Sequence, residues 1–197
     1  QTISDIIAFI RTAADQRTGN GPEIELGARL TAAGERRTRL AVVNDDMPFL
    51  VDSVTGVLTA RGLTIERLLH PILNVVRDDD GRLVSVQPAQ GPVPENGKRE
   101  SWIFIETERA DARTRAAIAQ ELRDVLADVR AAVTDWKPML ARLKAVAESI
   151  DDAESAAFLR WLARDNFTLL SAIELDGAGQ PHGATLGVLG REGASLP

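Results

Sequence analysis

The chain contains no cysteine and no tyrosine, only two histidines and eight aromatic residues, five Phe and three Trp. Without cysteine there is no disulfide framework, no thiolate nucleophile and no Cys-ligated zinc or iron–sulfur site, and a reducing compartment, the cytoplasm, is the expected location. Without tyrosine the phenolic acid of many reductases is missing. The apolar runs are short, 40–43 and 68–76 being the longest, so nothing approaches the roughly 20 residues of a membrane span and no signal peptide is visible. Positive charge is also in deficit. Lys plus Arg number 23 against 29 Asp plus Glu, a net charge of −6, which argues against a phosphate-backbone binder. What remains is the composition of an ordinary globular protein, 44% hydrophobic and 26% charged over 197 residues. The first residue is Gln1 rather than Met and the end is glycine-rich, which suggests a piece of a longer polypeptide.

Ile3, Ile6, Ile7, Ile10 and Ala14 recur at helical spacing and predict an amphipathic helix over 3–17 whose stripe needs a partner. Ile24, Leu26 and Leu30 suggest a short helix over 22–33. Residues 40–43 read as a strand, cut off by Asn44-Asp45-Asp46-Met47-Pro48, and Leu50, Val51, Val54, Val57 and Leu58 then give a helix that ends at Arg61-Gly62. A long strand over 64–76 follows, bulged or at an edge at Pro71, with a turn at 78–81 into a strand over 83–86. A loop over 91–99 precedes a strand over 102–107.

From 111 to about 150 the chain is helical, with a four–three apolar repeat through Ile118, Leu122, Val125, Val129, Ala132, Trp136, Met139, Leu143, Val146 and Ile150. Pro138 predicts a kink or a break in it. Asp151 with Glu154 reads as a capping pair for a helix through 163, and strands over 167–175 and 184–189 close the pattern. Successive strands with amphipathic helices imply an α+β fold, an antiparallel sheet with a helical layer on one face.

No motif assembles a catalytic, cofactor or metal site. Gly177, Gly179 and Gly183 lack the helix that a dinucleotide cradle must open, so a hairpin loop is the better reading. His70 and His182 lie on separate segments, and no serine sits in a G-x-S-x-G elbow. Asp78, Asp79 and Asp80 lack the spacing of a calcium loop. The segment that stands out is 44–53, where a strand hands over to a helix N-terminus. Unpaired amides and the positive end of the helix dipole suit a small anion such as an amino-acid carboxylate, which makes Asn44, Asp45, Asp46, Met47 and Phe49 candidate effector-binding residues. The competing reading is that Asp45 or Asp46 caps the helix and fills those donors itself.

The motifs N-D-D-M-P-F-L-V-D-S-V at 44–54, H-P-I-L-N-V-V-R-D-D-D-G-R-L at 70–83, E-S-W-I-F-I-E at 100–106, A-D-V-R-A-A-V-T-D-W at 127–136 and A-A-F-L-R-W-L-A-R-D-N-F-T-L-L at 156–170 carry a resemblance. In number and order they are similar to the N-terminal, ACT-like region of the large bacterial NAD-specific glutamate dehydrogenases. The resemblance implies an ACT-like, ferredoxin-like β-α-β-β core with additional long helices. It further implies a parent that oxidatively deaminates glutamate to 2-oxoglutarate with NAD, the catalytic and NAD-binding residues lying in a later part of that chain. For this segment it implies regulation or assembly, with the rest of the parent chain, a homo-oligomer and an amino-acid effector as expected partners; a stand-alone amino-acid sensor is the alternative. The domains expected are 1–36 helical, 37–110 the ACT-like core, 111–165 helical on the sheet or a partner, and 166–197 a strand and tail. One departure stands out. The wider ACT pattern is similar to D-x-P-G-h-L, with h apolar, and Phe49 stands where its glycine would let a ligand approach the backbone.

Overall fold

The computed structural model describes residues 3–191. Its backbone divides into two compact units, Gln1–Leu126 and Ala127–Pro197.

In the first unit, α1 (Ile3–Ala14), β1 (Glu23–Leu30), β2 (Arg36–Asp45), α2 (Leu50–Ala60), β3 (Ile65–Leu69), β4 (Ile72–Arg77), β5 (Leu83–Pro88), β6 (Gly97–Thr107) and the start of α3 (Ala112–Ser149) follow one another. The six strands form one antiparallel sheet in the order β1-β2-β6-β4-β5, with β3 also on β6. The fold is α+β, as its alternation of strands and helices requires.

The two central strands are apolar without alternation, Leu40-Ala41-Val42-Val43 and Trp102-Ile103-Phe104-Ile105, because both of their faces are covered. On one face Ala41, Val43, Val75, Trp102 and Phe104 pack against Ile6, Phe9, Ile10, Ala13 and Ala14 of α1, which supplies the missing partner for that helix. Its stripe is turned relative to the sequence reading, since Phe9 and Ala13 are inside while Ile3 and Ile7 are exposed. Phe9 meets Phe104 edge-on at 6.2 Å, and the Arg39 guanidinium lies 4.2 Å from its ring centre. Gly27 makes room for this ring, since a Cβ there would sit 3.0 Å from it. The other face, with Leu40, Val42, Ile103 and Ile105, is equally buried. Helices α2 (Leu50, Val54, Val57, Leu58) and early α3 (Ile118, Leu122, Leu126) also bury apolar stripes, and Arg61, just past α2, pairs with Glu121 of α3 at 2.6 Å.

Several elements differ from the sequence reading. Residues 23–30 are a strand rather than a helix: Ile24, Leu26, Ala28 and Leu30 alternate by two, and every residue of β1 pairs with β2. The strand expected over 64–76 is interrupted at His70-Pro71, where Pro71 has no amide to donate and instead accepts from the Trp102 amide. Helix α3 does not break at Pro138 but runs through it.

The second unit holds the rest of α3, α4 (Ala153–Trp161), a π-type turn over Leu162–Asn166, and the two-stranded hairpin of β7 (Ser171–Leu175) and β8 (Pro181–Gly187). Asp152 rather than Asp151 caps α4, its carboxylate accepting from the Ser155 amide at 2.7 Å. Polar links tie the unit together. Asp135 accepts from the Gly187 amide, Arg142 donates to the Ala184 carbonyl and pairs with Glu174, and Arg191 pairs with Asp128. The expected four–three seam is not followed in full: Met139 and Ala147 are buried whereas Trp136 and Val146 face outward. The described tail ends at Arg191, so the expected tail beyond it lies outside the described residues.

Candidate functional site

The register of β2 on β6 sets Asp45 directly opposite Glu100, on the face that carries Val43, Trp102 and Phe104. Two carboxylates side by side at the edge of an apolar core are tolerable only if cations neutralise them. Three do. Arg17, just past α1, has no exposed side-chain surface and lies 2.6 Å from Asp45 and 3.1 Å from Glu100. Arg77, at the end of β4, grips Glu100 through Nε at 2.9 Å and Nη2 at 2.8 Å, the paired geometry that suits a guanidinium and a carboxylate. Lys98 reaches Asp45 at 2.9 Å, and the Trp102 indole donates to Glu100 at 3.1 Å.

The arginines' other N–H groups hold backbone. Arg17 donates to the carbonyls of Asn20 and Gly21, and Arg77 to those of Ala14 and Gly81. The chain leaving α1 thus lies along the 78–81 turn, where the Arg17 amide donates to the Gly81 carbonyl and the Leu83 amide to the Asp15 carbonyl. Gly81 is required at this approach: its φ is +76° and a Cβ would come within 2.2 Å of the Arg17 oxygen.

Burial alone would favour the neutral form of both carboxyls. For Asp45 the hydrogen bonds and charges of Arg17 and Lys98 outweigh it and hold the group well below the usual carboxylate range. For Glu100 the hydrogen bonds from Arg77 and Trp102, with the charges of Arg77 and Arg17, do the same. Both remain ionised at neutral pH and saturated with donors, which is the opposite of what a general acid or base needs. Beside the cluster lies an open cleft of about 600 Å³, walled by Gln16, Thr18, Asp80, Arg82 and Lys98 together with the two arginines. Among the described residues no three His, Cys, Asp or Glu side chains gather as metal ligands would.

The candidate residues of the 44–53 segment divide between this cluster and the surface. Asn44 is buried, with its Oδ1 3.4 Å from Arg17 Nη2, and Asp45 belongs to the cluster. Asp46 accepts from the Ser101 hydroxyl at 2.6 Å, and its amide donates to the Arg99 carbonyl. Met47 is half-buried and Phe49 is exposed. Neither aspartate caps α2, contrary to the competing reading. The capping position is Phe49, which offers no side-chain bond and holds a left-handed backbone at φ +69°. Arg17, Arg77, Lys98 and Glu100 were not singled out from the sequence. The signal available was parity: positions 41, 43 and 45, like 100, 102 and 104, share a face, but only the register of β2 on β6 makes Asp45 and Glu100 neighbours.

A family profile described as "Glutamate dehydrogenase, ACT1 domain" matches residues 7–122, more than half of the chain. The chain belongs to the glutamate dehydrogenase ACT1 domain family. The ACT1 match runs from α1 into α3 and stops just short of Leu126, where the first unit ends, so the domain and the compact unit coincide. Curated relatives agree. The NAD-specific glutamate dehydrogenase of Halomonas elongata is 40% identical over 152 residues, 71% of this chain and 9% of the relative. Its namesake from Pseudomonas aeruginosa is 32% identical over 162 residues, 76% of this chain and 10% of the relative. That of Mycobacterium tuberculosis is 32% identical over 144 residues, 66% of this chain and 9% of the relative. The chain therefore spans about a tenth of the length of these relatives. No helix of this ACT1 chain is long and apolar enough, among the described residues, to cross a membrane.

Proposed function

We propose that the chain is a non-catalytic regulatory and assembly segment of a longer NAD-dependent glutamate dehydrogenase, a cytoplasmic oligomer. In this reading the parent oxidises glutamate to 2-oxoglutarate and ammonia and reduces NAD, and this segment takes no part in the chemistry. The observation that supports it best is the saturation of the charged cluster. Asp45 and Glu100 are held ionised by Arg17, Arg77 and Lys98, and the arginines' remaining donors are engaged by backbone. A proton-transfer site needs a group poised near the working pH and open to substrate. In this cluster both carboxyls are held below the working range and already engaged by cations, so it serves as a latch between α1 and the sheet.

The candidate effector residues Asn44, Asp45, Asp46, Met47 and Phe49 fit an assembly role better than ligand capture, because both aspartates already have partners and Phe49 stands where a small residue would admit a ligand. Two measurements on the purified chain test the reading. Glutamate with NAD should give no reduced nucleotide, and sustained turnover would overturn the non-catalytic role. Calorimetry against a panel of amino acids should give no binding heat at millimolar concentration. Saturable heat abolished by Phe49→Ala or Asp46→Ala would turn the reading toward an amino-acid sensor.

A further inference from the structure

The chain has five asparagines, and two of them precede glycine, Asn20-Gly21 and Asn96-Gly97. Asparagine is a labile residue, and most of all before glycine, because no side chain then hinders the following backbone nitrogen from reaching the asparagine Cγ. The reaction also needs that nitrogen free to lose its proton and the asparagine side chain free to turn. Sequence alone makes the two pairs equivalent. The fold does not.

At Asn96 the glycine amide is engaged. Gly97 opens β6, its amide donates to the Pro94 carbonyl at 2.8 Å, and a Cβ there would sit 3.0 Å from the carbonyl oxygens of Pro94 and Val75. At Asn20 both residues are exposed, and a Cβ on Gly21 would meet nothing within 4 Å. Among the described residues no acceptor takes the Gly21 amide and no partner holds the Asn20 side chain. The carbonyls of this turn are held instead, that of Asn20 by Arg17 Nη2 at 3.1 Å and that of Gly21 by Arg17 Nε at 3.0 Å. The turn is thus tethered through its oxygens and open at its nitrogen. The remaining asparagines precede residues with side chains; Asn44 and Asn74 are buried, and the Asn166 amide donates to the carbonyls of Trp161 and Arg164.

We infer that Asn20 is a site of spontaneous deamidation from which the fold protects Asn96, and that its isoaspartyl product disturbs the anchorage of Arg17. The Gly21 nitrogen loses its proton and bonds to Asn20 Cγ, the Cγ–Nδ2 bond breaks, and the leaving group takes up a proton and departs as ammonia. Water then opens the succinimide ring at either carbonyl, giving aspartate or isoaspartate; no oxidant and no cofactor is needed. Either product carries a new negative charge. The isoaspartyl form also lengthens the main chain by a methylene and turns the carbonyl that Arg17 Nη2 holds into a side carboxylate.

The test ages the purified 197-residue chain at mildly alkaline pH and follows the two Asn-Gly peptides by mass spectrometry, where deamidation adds about one mass unit. The Asn20 peptide should convert several-fold faster than the Asn96 peptide in the folded chain, and the two rates should converge in guanidinium chloride that unfolds the first unit. Equal rates in the folded chain, or faster conversion at Asn96, overturn the inference. A difference that persists unchanged in denaturant also overturns it, since neighbouring sequence and not the fold would then be the cause. The second readout is the urea midpoint of the first unit, which should fall as isoaspartate accumulates in the wild type and stay constant in equally aged Asn20→Gln. A midpoint that is the same in fresh and aged wild type would overturn the coupling to Arg17.

Discussion

In the first unit large apolar side chains fill the core, with Phe104, Leu40, Leu50, Leu58 and Ile103 nearly inaccessible and even the Glu100 carboxylate drawn inside with its counter-ions. Among the described residues of the second, four of the five buried apolar ones are alanines and the aromatic rings are outside. The local chemistry of the helices does not account for this difference, since both units have capped or amphipathic helices. It lies in the sheet. Six strands give the first unit a sheet whose two faces are both buried, one of them against α1; two strands give the second unit little to pack against. Closure of the sheet, more than hydrophobic content, separates the two units.

The largest effect that would sharpen the contrast is expected from Glu100→Ala. It leaves Arg17 and Arg77 buried beside one another without their shared carboxylate and should cost the first unit about 3–5 kcal/mol in urea unfolding. A loss below about 1 kcal/mol would mean that the latch contributes little to the closed unit. Next in size is acid. The folded-state values of Asp45 and Glu100 lie below their ordinary 3.8 and 4.5, so their contribution is complete above those values and is lost as pH falls through them. Urea midpoints of the first unit should therefore hold between pH 7 and pH 5 and drop between pH 4.5 and pH 3, by less than the truncation does. An unchanged midpoint at pH 3 would contradict the assignment of ionised, paired carboxylates.

A smaller effect is expected at Phe49, whose left-handed backbone disfavours any side chain. Phe49→Gly should be more stable than Phe49→Ala by about 1 kcal/mol, the reverse of the usual order in a helix. Equal stabilities would show that the turn before α2 relaxes freely. The smallest belongs to the second unit. Trp161→Ser in the 197-residue chain should change stability by no more than about 0.5 kcal/mol, because an exposed ring contributes little, whereas a loss like that of a core residue would erase the contrast between the units.

Where one element's pattern decided its structure, the sequence was legible: the strand-to-helix handover at 44–50, the 78–81 turn and the apolar strand through Trp102 and Phe104 stand where expected. The strand β1 was misread because Gly27 and the charged residues between Ile24 and Leu30 leave too few apolar positions to separate a period of two from one of 3.6. Its identity comes from pairing with β2 rather than from its own residues. The charged latch was hidden for the same reason, since Arg17, Arg77, Glu100 and Asp45 come from four segments that only the sheet register brings together. Pro138 shows the opposite case, a local signal for a break inside a helix that continues on both sides of it. The family resemblance was carried by motifs in both units, yet the profile match stops before the second one, and there the sequence pattern gave rings with no partner to place them against.

Native-state hydrogen exchange on the 197-residue chain tests the contrast between the units most directly. Amides of β2 and β6 should exchange only through global unfolding, whereas those of β7 and β8 should exchange orders of magnitude faster through local opening. Protection of the β7–β8 hairpin equal to that of β6 would contradict the account, for it would mean that the second unit is already complete.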